Sequence, residues 1–152
     1  MNRVEINAEE VPLPVWAPMV NDYILKVLDR LGRDGWDVSV LFCNNAYIRS
    51  LNERFRNINE PTDVLSFTLG TNYHDEATGE VRFLPGDIIV SLETLAENAG
   101  YFHVSRDEEL RRLLIHGILH LDGMDHQTNE GTEPMLKLQE DILTELSGEA
   151  IF

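Results

Sequence analysis

Residues 105–126 read SRDEELRRLLIHGILHLDGMDH, and this stretch decides the fold. Ser105 with Glu108 three residues on has the form of a capping box, which satisfies N–H groups that every helix start leaves free. Leu110, Leu113, Leu114, Ile118 and Leu121 then fall on one helical stripe, and Ile115 and Leu119 lie on the opposite side. The later turns are therefore apolar nearly all round, the mark of a helix buried at the centre of a domain. The same helix carries chemistry. His116 and His120 are one turn apart and project from one face. Asp122-Gly123 breaks the helix, since glycine readily takes the left-handed conformation that ends one, and the chain can turn back to offer His126 from another direction. Three imidazoles around one ion leave a fourth position open, which is the catalytic zinc arrangement, whereas structural zinc is usually closed by four protein ligands.

Working outward from this helix, Arg3 to Asn7 alternates as a short strand and Asp37 to Phe42 reads as a second. Between them Trp16, Val20, Tyr23, Ile24, Val27, Leu28 and Leu31 recur at helical spacing, with Gly32 as the stop. Asn44 or Asn45 caps a helix whose apolar face carries Ile48, Leu51 and Phe55. After the polar loop 57–60 come two more strands, DVLSFTL at 63–69 and GDIIVS at 86–91, separated by a segment, 70–85, that reads as a long loop or a hairpin. A short helix at 92–99 precedes the histidine helix, and Thr132 is expected to cap a last one with Met135, Leu138, Ile142, Leu143 and Leu146 as its core face. Strands early and helices late give an α+β fold, a small four-stranded sheet packed with about five helices, the histidine helix central.

At 152 residues the chain suits one domain, 1–152, large enough to bury a core without staples. Cys43 is the only cysteine, so an intramolecular disulfide is impossible and a transition-metal site must use histidine and carboxylate. The opening MNRVEINAEE lacks the apolar region of a leader, and no run is long enough to span a bilayer; the expected location is the cytoplasm, with no membrane partner. A net charge of -15 repels nucleic acid on average, yet does not exclude a local basic cleft. Ten of the twelve basic residues are arginine, the side chain suited to forked contacts with phosphate. Arg49, Arg54 and Arg56 cluster in one segment and Arg106, Arg111 and Arg112 in another; for most of the six, a solvated surface or pairing with Glu and Asp is the expectation.

The histidine spacing looks like that of the metzincin proteases, but those carry a glutamate after the first histidine as general base, and here the position is Gly117. The blocks LNERFRNINEPTDVLSF (51–67), GDIIVS (86–91) and HGILHLDGMDH (116–126) together closely resemble the YbeY family of bacterial rRNA-maturation endoribonucleases. That resemblance implies a mixed sheet with helices, one zinc per chain held by His116, His120 and His126, and cleavage of single-stranded RNA in rRNA maturation (16S 3′ end) and ribosome quality control. It also implies a small-subunit ribosomal protein and an assembly GTPase as partners, and a catalytic Arg56, whose guanidinium can offset charge gathering on the phosphodiester. The alternative for Arg56 is a loop arginine paired with Glu53 or Glu60. Asp122 and Asp125 either orient a histidine through its second nitrogen or cap a turn. Asp63 and Ser66 either line the cleft or serve as turn cap and strand residue. Glu109 reads as a solvated partner of Arg112 or Arg106, and His74 and His103 as surface residues. Two other functions fit the same residues: a non-enzymatic ribosome-assembly factor with structural zinc, and a metal-dependent hydrolase of another bond.

Overall fold

The computed structural model describes residues 1–152. Its elements are β1 (Arg3–Ala8), α1 (Ala17–Arg30), β2 (Asp37–Cys43), α2 (Asn45–Arg56), β3 (Val64–His74), β4 (Val81–Ser91), α3 (Leu92–Phe102), α4 (Arg106–Leu121) and α5 (Pro134–Glu145). Strand order is β1-β2-β4-β3, with β1, β2 and β4 parallel and β3 antiparallel to β4. The domain is therefore α+β with a four-stranded mixed sheet and five helices, as the patterning implies.

Side chains alternate across a strand, so the sheet has two distinct faces. Ile6, Val40 and Ile88 stand in register on one, and Ala8, Phe42, Val90 and Val64 form the next row. Helices α1 and α4 cover this face, and Leu110, Leu114, Ile115, Ile118 and Leu119 of α4 are fully buried. Each such side chain contributes roughly 1.5–3 kcal/mol on burial. The opposite face is covered by α2, where Ile48 packs on Cys43, Leu65 and Ile89. Helix α4 packs tightly on the sheet at Gly117, where a Cβ would lie 2.9 to 3.0 Å from three side-chain atoms of Ile88. The missing side chain lets the helix lie against β4.

Residues 70–85 form a hairpin. Its turn is closed by the Gly79 and Asp75 amides, which donate to Asp75 O and Glu80 O at 2.8 Å each. The β3/β4 register slips between Thr68 and Thr71, beside Gly86, whose φ of +141° suits glycine and whose missing side chain admits the Phe67 carbonyl. Two helix starts depart from expectation. The Ser105 hydroxyl accepts from the Glu108 amide at 3.0 Å, but the Glu108 carboxylate turns to Arg112, so half of the capping box is made. Helix α5 opens on Pro134 with Glu133 at the cap and no side-chain cap bond; proline lacks an N–H and presets φ, so it starts a helix without the help expected of Thr132.

Glu109 also departs from expectation. It is 4% exposed rather than solvated, its Oε2 has no hydrogen-bond partner, and the nearest Arg112 nitrogen stands 4.0 Å from Oε1. Burial raises its carboxyl pKa above the ordinary value, partly opposed by Arg112.

Two stability outcomes follow from these packing facts. Gly117→Ala gains about 1 kcal/mol of helix propensity but drives a methyl into Ile88, an overpacking cost of about 1–3 kcal/mol; a lower urea midpoint is expected, and an unchanged or higher one would show that α4 can move off the sheet. For Glu109, a raised folded-state pKa means that the cost of the carboxyl is absent below its unfolded value and grows as pH rises toward the folded one. Glu109→Gln is therefore expected to unfold at a higher temperature than the parent at neutral pH but not near pH 4, and equal shifts at both would detach the effect from titration.

Candidate metal centre

The end of α4 builds the centre. The Gly123 amide donates to His120 O and the Met124 amide to Leu119 O, both at 3.0 Å, the paired bonds of a Schellman turn, with Gly123 at φ +91°. That turn brings the Met124 carbonyl back to His120 and reverses the chain so that His126 meets the other two rings. Ring centroids lie 4.6 Å apart for His116 and His120, 5.3 Å for His116 and His126, and 5.7 Å for His120 and His126. One nitrogen from each lies within 4.8 Å of the others.

Hydrogen bonding fixes which nitrogen is free. His116 Nδ1 faces Gln139 Oε1 at 2.6 Å, His120 Nδ1 faces Met124 O at 3.1 Å, and His126 Nδ1 faces Thr128 O at 2.8 Å. These oxygens only accept, so each Nδ1 donates and each neutral ring keeps its lone pair on Nε2. His116 and His120 then oppose two Nε2 lone pairs at 3.0 Å, unfavourable without a cation between them and close to the ~3.3 Å edge of a tetrahedron with metal–nitrogen distances near 2.05 Å. Burial lowers the pKa of both His116 and His120; the neighbouring His116 lowers that of His120 further. The donor set is thus oriented and convergent, and can hold a metal ion.

The rings open onto a cavity of about 880 Å³, whose lining includes Arg56, Phe55, Ser66, Thr68 and Asp125. Ser66 and Thr68 reach it because alternate residues of β3 face α4. Arg56 is the last residue of α2 rather than a loop residue. The helix stops there because Asn57 is left-handed at φ 59°, and buried Asn52 donates to Glu60 O at 2.9 Å, holding the loop beyond. Arg56 forms no ion pair with Glu53, Glu60 or any other carboxylate, so its guanidinium is free at the cavity.

The other candidates separate. Asp122 pairs with Arg33 at 2.9 Å and Asp125 accepts from the His126 amide at 2.8 Å, so neither orients an imidazole. Asp63 accepts from the Val64 amide and from Asn98 Nδ2 at 3.1 Å while lining the cavity, so both of its readings hold. His74 and His103 stand apart from the triad. Gln139, missed in the sequence, orients His116; its Nε2 donates to Glu140 at 3.2 Å, which assigns Oε1 to the imidazole. Its signal is a polar side chain inside the apolar stripe of α5. Phe55, expected on a core face, is 59% exposed.

The family model described as Endoribonuclease YbeY matches residues 4–147. Endoribonuclease YbeY of Treponema denticola is 47% identical over 144 residues, spanning 95% of this chain and 92% of its own. That of Treponema pallidum (strain Nichols) is 48% identical over 145 residues, spanning 95% and 90%. Among solved structures, the solution structure of TM1509 from Thermotoga maritima aligns with a TM-score of 0.64 at 29% identity, covering 96% of this chain and 90% of that one. With the match running through the strands, the histidine helix and the turn that follows it, the chain belongs to the Endoribonuclease YbeY family.

Proposed function

We propose that residues 1–152 act as one zinc-dependent endoribonuclease domain that cuts single-stranded RNA during rRNA maturation, at the 16S 3′ end, and in ribosome quality control. The observation that carries this reading is the convergence of three Nε2 lone pairs and one unpaired guanidinium on a single cavity. His116, His120 and His126 would hold the ion, and three imidazoles suit zinc better than magnesium or calcium, which prefer oxygen. When bound, zinc supplies Lewis-acid polarisation of a phosphoryl oxygen and a more acidic water. Arg56 holds the phosphodiester through its planar fork and offsets negative charge as it gathers in the transition state. Gln139, the Met124 carbonyl and the Thr128 carbonyl keep the rings in the tautomer that binds metal.

The domain works in the cytoplasm, with an rRNA precursor as substrate and a small-subunit ribosomal protein and an assembly GTPase as partners. Its acidic surface suits a basic ribosomal protein, and no helix is long and apolar enough to cross a membrane. A non-enzymatic assembly factor with structural zinc has no use for an open ligand position or a free cation beside it.

Two variants test this reading. His120→Ala is expected to lose most of about one zinc per chain, because two imidazoles hold the ion far more weakly than three; full zinc by elemental analysis in that variant would reject the ligand set. Arg56→Ala is expected to keep zinc and thermal unfolding near the parent while turnover on single-stranded RNA falls ~100-fold or more, the scale of one lost preorganised donor. Arg56→Lys should recover little, since a point charge lacks the fork. Parental turnover by a zinc-loaded Arg56→Ala protein would favour the assembly factor.

A further inference from the structure

The apolar stripe of α2 does not stay buried to its end. Ile48 is fully buried and Leu51 half-buried, but Phe55, one turn further on, is 59% exposed. Its ring meets half-buried Phe67 of β3 edge-on, with centroids 5.3 Å apart and planes at 65°. Both rings line the cavity that holds the three histidines. The guanidinium of Arg54 sits 5.7 Å from the Phe55 ring centroid, and Arg56 follows on the other side in sequence.

Charge singles out the same place. Of the twelve basic residues, seven are engaged in ion pairs: Arg3, Lys26, Arg30, Arg33, Arg82, Arg111 and Arg112. Three of the remaining five, Arg49, Arg54 and Arg56, lie on α2. Cations in the last turn of a helix also complement its dipole, but the dipole does not call for an exposed phenylalanine between them. An aromatic face flanked by free arginines is the arrangement that receives an unstacked base and its phosphates.

We infer that Phe55, braced by Phe67, is a base-stacking platform that seats a nucleotide next to the scissile phosphate and so makes the site prefer single strands. A duplex keeps its base faces covered by neighbouring bases, so only an unpaired nucleotide can offer one to the ring. Phe55 is a specificity-determining residue here, with no part in bond breaking. The inference rests on the endoribonuclease reading above, and its test is separable from the test of that reading.

The zinc-loaded protein is mixed in stopped flow with a single-stranded oligoribonucleotide carrying 2-aminopurine at one position at a time. Stacking on the ring is expected to quench the fluorophore at one register. Phe55→Ala should abolish that quench, raise KM ~10-fold, the effect of one lost base stack, change kcat less, and narrow the preference for single over double strands. Phe55→Trp should retain quench and KM, and zinc content and thermal unfolding should match the parent in both variants. If the parent cleaves single strands but no position is quenched, or if Phe55→Ala binds and cleaves them as the parent does, the platform is overturned and the nuclease reading stands. Should the parent neither bind nor cleave single-stranded RNA, both fall. Phe55→Ala losing affinity for a basic ribosomal protein while handling RNA normally would assign the ring to protein docking and overturn the platform.

Discussion

The contact between Gly117 and Ile88 fixes the rotation of α4, and the rest of the molecule depends on that rotation. A helix turns about 100° per residue, so with Gly117 pressed on the sheet the preceding His116 is swung off it, and His120 follows one turn later on the same side. The protease-like spacing thus occurs on a helix whose general-base position is occupied by a packing contact. A glutamate there would have to displace Ile88 from the core. Chemistry in this domain is therefore assigned by how the helix packs, and the departure at Gly117 reflects the architecture as much as the reaction.

Each imidazole is oriented by a different kind of group. Gln139 comes from a helix packed beside α4, the Met124 carbonyl from the turn that ends α4, and the Thr128 carbonyl from the loop beyond. Two of the three are backbone atoms, so they follow from chain path rather than from a particular side chain. The cavity has the same origin: β3, the edge strand beside α4, contributes Ser66 and Thr68 from one face and Phe67 from its rim, and Arg56 arrives because Asn57 stops α2 there. The ends of regular elements build the site, and their middles build the core.

Most of the architecture was legible in the sequence because it is written in periodicity. The amphipathic helices and the His116/His120 pair rest on spacings of three and four and β1 on a spacing of two, while β3 and β4 rest on β-favouring composition and His126 on the glycine that ends α4. What was not legible depends on neighbours distant in sequence. Glu109 resembles any first-turn acidic residue of a helix, and only the packing around α4 buries it. Phe55 continues a proper apolar stripe, and only its place at the open cavity leaves it exposed. Gln139 was readable in principle, since a polar side chain amid Met135, Leu138 and Ile142 needs a partner, but its partner lies on another helix. Segment 70–85 stayed open because the covered side of its hairpin is polar: Tyr73 and buried Arg82 both turn to Asp37, so hydropathy shows no alternation there.

The distribution of free cations gives the acidic body a directional role. With seven basic side chains neutralised in pairs and a net charge of -15, most of the surface pushes a polyanion away. The one segment with several unengaged arginines borders the cavity. A polyanion meets net repulsion over the body as a whole, so a net-negative surface favours encounters at the arginine-bearing segment over encounters elsewhere. The excess of carboxylates works as a mask that is thinnest beside the end of α2, and the aim of the molecule comes from what it repels.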